Sequence, residues 1–94
     1  APANVSNPVC TFNKQERAIH LKWDPPSNIP LNDKNVYYLI WSHEHYKEFS
    51  SDTTSITIAD CDPEKPHDVW IKPVLRGKKQ PYVAYSDKVV CTPE

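Results

Sequence analysis

The sequence predicts an all-β fold, a seven-stranded antiparallel sandwich of two sheets, on three observations. Short apolar or alternating runs recur at roughly 8–12 residue intervals, with no helical period between them. Clusters of Pro, Asn, Asp and Ser separate the runs and supply turns. Ten prolines against a single glycine argue against long helices and suit short strands with stiff connections. Ninety-four residues are enough for one modest core, so residues 1–94 are expected to form a single domain.

Residues 1–8 are rich in Pro, Asn and Ser and lead into a first strand, Val9 to Phe12. A polar turn, Asn13 to Arg17, precedes the cleanest alternation in the chain. Ile19, Leu21 and Trp23 share one face there, and Ala18, His20 and Lys22 the other. Asp24-Pro25-Pro26 ends that strand, because neither proline can donate to a ladder. A loop, Ser27 to Asn35, leads to Val36-Tyr37-Tyr38-Leu39-Ile40-Trp41, six apolar or aromatic residues in a row. A half-wet strand should alternate and this one does not, so whichever face is buried, three large side chains remain on the other. A polar stretch with a short edge strand at Tyr46–Phe49 follows, then a turn at Ser50–Thr53 and a strand from Thr54 to Ala59 with Ile56 and Ile58 on one face. Cys61 to Pro66 forms a corner, and Val69 to Leu75 the next strand. Arg76 to Gln80 is a hairpin tip, and Val83 to Cys91 the last strand.

Charge and composition exclude several functions. The net charge of −1, from 11 basic and 12 acidic residues, recruits neither nucleic acid nor an anionic membrane. Phosphate-cradling loops and nucleophile elbows need glycine where backbone approaches a ligand, and only Gly77 exists. No enzyme activity and no cofactor are expected. His43-x-His45 puts two imidazoles on one face, but at a polar strand end these are expected to be solvated, not metal ligands. No apolar run nears the roughly 18 residues of a spanning helix, so no direct membrane contact is expected. No leader-like segment precedes Ala1, and the chain is expected to be a module excised from a larger multidomain protein.

From Trp23-Asp24-Pro25-Pro26 onward the pattern resembles a fibronectin type III domain, whose second strand ends in a buried tryptophan before a proline-rich turn. Tyr37-x-Leu39-x-Trp41 is similar to that family's third strand. Ile56-x-Ile58-x-x-Cys61-x-Pro63 resembles its fifth strand and corner, Val69-x-Ile71 its next strand, and Thr92-Pro93 its exit. His67 stands where the family carries a corner tyrosine bonded back to the backbone. An immunoglobulin domain fits less well, because no Tyr-x-Cys motif supplies the far half of its bridge. The resemblance implies that Cys10, Cys61 and Cys91 gather at one pole, with a Cys10–Cys91 bridge and Cys61 a buried, quiet thiol. In a reducing compartment all three would stay thiols instead.

The resemblance also places the third strand beside Val69–Leu75, where Trp70 points outward with Asp68 and Lys72. With Tyr37, Leu39 and Trp41 inward, the outward set is Val36, Tyr38 and Ile40; the opposite register reverses the two. Either way an apolar patch rimmed by charge results, and Tyr38, Ile40, Trp70 and Lys72 are expected to bind a protein ligand or a neighbouring domain. A second candidate is the basic tip, Arg76, Lys78 and Lys79, as a contact for a sulfated glycan. Asn4-Val5-Ser6 is an N-glycosylation triplet. Together these readings imply an extracellular, non-enzymatic interaction module of an adhesion molecule or cell-surface receptor. The alternatives are a passive spacer domain and a glycosaminoglycan-binding module.

Overall fold

The structure, a computed structural model, describes residues 4–30, 33–77 and 84–94. Eight strands follow one another: β1 (Ser6–Asn13), β2 (Ala18–Asp24), β3 (Val36–Ser42), β4 (Lys47–Ser51), β5 (Ser55–Ile58), β6 (Asp68–Leu75), β7 (Val89–Val90) and β8 (Thr92–Pro93). They build two four-stranded sheets, ordered β5-β2-β1-β8 and β4-β3-β6-β7. No helix occurs among the described residues. The two-sheet sandwich and the order of its elements are those the sequence predicts.

The expected last strand is in fact two short pieces on different sheets. Val89–Val90 runs antiparallel to β6, while Thr92–Pro93 runs parallel to β1, so the sandwich is not antiparallel throughout. The crossing point is Cys91. Its side chain is bonded to Cys10 with the Cα atoms 4.4 Å apart, and its N–H donates to the His67 carbonyl at 2.9 Å. Tied to β1 on one sheet and to the residue that leads into β6 on the other, Cys91 passes the chain between them.

The two inner faces meet in one core. Phe12, Ile19, Leu21, Trp23 and Ile58 come from the first sheet, and Val36, Tyr38, Ile40, Val69, Ile71 and Val89 from the second. Each such side chain contributes about 1.5–3 kcal/mol on burial. Tyr38 packs its ring edge-on to Trp23, 5.1 Å between centroids.

This core corrects the expected register of β3. Tyr38 is 1% exposed and Ile40 0%, so neither can bind a partner; Tyr37, Leu39 and Trp41 face outward. The cause lies in the neighbouring strand. On β6 only Val69, Ile71 and Pro73 can go inward, because the opposite choice would bury Asp68 and Lys72. Directly paired residues share a face, and the pairs are Ile40↔Ile71 and Tyr38↔Pro73. The inward set ends at Ser42, a polar residue whose hydroxyl lies 2.8 Å from His45 Nδ1.

Candidate functional site

The outer face of the β4-β3-β6-β7 sheet is built in cross-strand rows. One row is Glu48, Trp41 and Trp70, the next Ser50, Leu39 and Lys72, and Tyr37 pairs with Val74 beyond them. Tyr85 completes the surface. Its neighbour Ser86 is anchored to β6 twice, with Ser86 N–H donating to the Ile71 carbonyl at 2.7 Å and Ile71 N–H to Ser86 Oγ at 3.0 Å. From there the Tyr85 ring runs under the Lys72 ammonium, 4.6 Å from its centroid, and its hydroxyl donates to Glu48 on the far strand. Trp41, Trp70 and Tyr85 line an open apolar hollow of about 410 Å³.

The β3–β4 turn adds a fourth aromatic. Ser42 pairs with Lys47, leaving His43 to Tyr46 as the turn, with Tyr46 N–H donating to the His43 carbonyl at 3.3 Å. Tyr46 has φ 50°, a left-handed conformation that costs a residue with a Cβ about 1–2 kcal/mol. It is 79% exposed and stands edge-on to Trp41 at 5.3 Å. A bulky aromatic in the conformation that suits Gly or Asn is a poor choice for the turn alone, and its ring extends the Trp41 surface outward.

Cations lie over the aromatic rings. Lys47 Nζ is 4.7 Å from the Phe49 ring and the Arg76 guanidinium 4.9 Å from Tyr37. Arg76 also pairs with Asp52 and donates to the Lys34 carbonyl at 3.2 Å. It is thus held in place at the edge of this face and not presented as a free tip charge. Lys78 and Lys79 lie outside the described residues. Asn4 is held at the start of β1, its amide donating to the Ala84 carbonyl at 3.3 Å.

The two histidines of His43-x-His45 diverge. His43 stands edge-on to Trp70 at 6.2 Å, with Nδ1 3.8 Å from the Asp68 carboxylate. His45 turns to the other sheet, its Nε2 3.0 Å from the Ala59 carbonyl. A carbonyl only accepts, so Nε2 carries the proton and Nδ1 accepts from the Ser42 hydroxyl.

Below this turn lies a buried polar cluster. His67 stacks on Phe12 at 3.9 Å and points Nδ1 at Glu44 Oε1, 2.6 Å away. The His67 ring thus bonds a carboxylate and not the backbone. The other Glu44 oxygen accepts from Asp62 N–H. Cys61 is fully buried beside them, and burial followed by the Glu44 charge pushes its thiol up to about 11. Glu44→Ala would strip the buried His67 ring and the half-buried Asp62 N–H of their acceptor. It is expected to cost about 2–3 kcal/mol in urea unfolding measured with chelator present, against less than about 0.5 kcal/mol for an exposed control such as Lys14→Ala.

Of the residues expected to bind protein, Trp70 and Lys72 lie on the outer face, and Tyr38 and Ile40 do not. Trp41, Tyr46 and Tyr85 were missed. Trp41 fell to the register, Tyr46 was placed in a strand, and Tyr85 reaches the surface only through the Ser86 anchor. Cys10 and Cys91 form the bridge that the resemblance implied, and Cys61 is a free buried thiol.

No protein-family model matches this sequence, and no curated protein does. Among solved structures, the fold is similar to the twitchin kinase region from C. elegans (Fn31-NL-kin-CRD-Ig26), with a TM-score of 0.62 and 16% identity. The match covers 97% of this chain and 17% of that one. At that identity the likeness is one of architecture, and the chain is a fibronectin type III/immunoglobulin-like sandwich.

Proposed function

We propose that this domain is a non-enzymatic protein-interaction module of an extracellular protein, an adhesion molecule or receptor ectodomain. It engages a protein partner through Trp41, Trp70 and Tyr85, flanked by Tyr46 and Lys72. The observation that carries this reading is the directly paired Trp41 and Trp70 on the outer face of a sheet whose inner face already fills the core. Tryptophan and tyrosine are the commonest interface anchors, offering large rigid area at small entropy cost. The Cys10–Cys91 bridge supports an oxidising compartment.

Binding to an array of purified extracellular domains tests the proposal. Trp70→Ala should weaken a captured partner roughly 30-fold or more, about 2 kcal/mol, and barely shift the thermal midpoint. Thr57→Ala, on the opposite sheet, should leave binding intact. A partner whose affinity ignores both Trp41→Ala and Trp70→Ala would refute the assignment. A monodisperse domain that binds nothing and tolerates both changes would identify a spacer.

A further inference from the structure

Three side chains from separate turns converge beneath the β3–β4 turn: Glu44 within it, Cys61 after β5 and His67 before β6. One ligating atom of each lies within 4.8 Å of the other two. All three are withdrawn from solvent, with Cys61 0% exposed and the Glu44 and His67 side chains 6% and 7%. A carboxylate, a thiol and an imidazole make the mixed O, S and N set that zinc takes.

The internal bonding of the cluster is incomplete. His67 Nδ1–H is held by the Glu44 carboxylate, and Nε2 is buried with no hydrogen-bond partner. When Glu44 turns from the ring to an ion, the ring proton must shift from Nδ1 to Nε2, which frees the Nδ1 lone pair for the metal. The Cys61 S–H reaches carbonyls only at long range, 3.4 Å to Ile58 and 4.0 Å to Ala59, so its proton is weakly held by them. A carboxylate and a thiolate together neutralise a divalent cation, which answers the cost of placing charge in an apolar surround. The closest approach, 2.6 Å between His67 Nδ1 and Glu44 Oε1, must open to about 3.3 Å for both to sit on one tetrahedral ion. Glu44 belongs to a turn, where a shift of that size disturbs no strand ladder.

We propose that Glu44, Cys61 and His67 form a three-ligand binding site for a single zinc ion at the base of the β3–β4 turn, with a water as the fourth ligand. On binding, the Cys61 thiol proton leaves to solvent and the sulfur takes the metal. The site is independent of the protein-binding face. It also differs from the exposed cluster of Glu16, His20 and Glu94, where the groups are already engaged: Glu94 accepts from Thr11 and Asn13, and His20 contacts Thr57 and Glu16.

Zinc titration of the metal-free, disulfide-intact chain tests the proposal. One ion should bind per chain, and at a hundredfold excess over Kd the thermal midpoint should rise by about 10 °C. Cobalt in place of zinc should show sulfur-to-metal charge-transfer absorption, a readout that needs no variant to fold. Cys61→Ser should weaken affinity by about 100-fold, and His20→Ala should leave it unchanged. Absence of both the midpoint rise and the sulfur band overturns the site. So does binding that is lost in His20→Ala and kept in Cys61→Ser.

Discussion

Ile40→Ala is expected to lower the unfolding free energy by about 3–4 kcal/mol, while Leu39→Ala costs less than about 1 kcal/mol. The two positions are adjacent on β3 and chemically alike, so the contrast reports their faces alone. Ile40 is 0% exposed and directly opposite Ile71, and truncating it leaves a cavity between the sheets. Leu39 lies outward between Ser50 and Lys72, where a shortened side chain opens to water. Urea unfolding of both variants settles the matter. A larger loss at Leu39 would restore the opposite register and move the binding face with it.

The second large effect is at the bridge. The double variant Cys10→Ala/Cys91→Ala should lose about 4 kcal/mol, because the bond closes a loop across 81 residues and removes that freedom from the unfolded chain. Such a loss is a large part of the 5–15 kcal/mol typical of a small domain. Beyond the entropy, Cys91 is where the chain changes sheets, so hydrogen exchange should rise first at Val89–Pro93. A loss below about 1 kcal/mol would mean that the ladders alone hold the last strand.

What was legible in the sequence depended on local contrast between neighbours. Ile19, Leu21 and Trp23 against His20 and Lys22 fix the faces of β2 without help from any other strand. Val69 and Ile71 against Asp68 and Lys72 do the same for β6. β3 has no such contrast. Its faces are decided by pairing with β6, a non-local fact, and Tyr38 and Ile40 were consequently placed on the wrong side. The division of the last strand depends on a covalent bond to a residue 81 positions away. Glu44 was legible only as part of a polar stretch, since its partners Asp62 and His67 come from the β5–β6 connection, 18 and 23 residues further along the chain. Tyr46 reads as a strand residue by propensity, and only the four-residue turn closed by Ser42 and Lys47 gives it another conformation.

The outer face of the β4-β3-β6-β7 sheet as the contact surface is the central claim, and a glycan wedge tests it most directly. Glu48→Asn creates an acceptor triplet with Phe49 and Ser50 beside Trp41. Ser55→Asn creates one with Ile56 and Thr57 on the outer face of the opposite sheet. Both positions are exposed, so each glycosylated domain should fold. Partner binding should be abolished by the glycan at position 48 and kept with the glycan at position 55. Binding that survives the first and is blocked by the second would contradict the account.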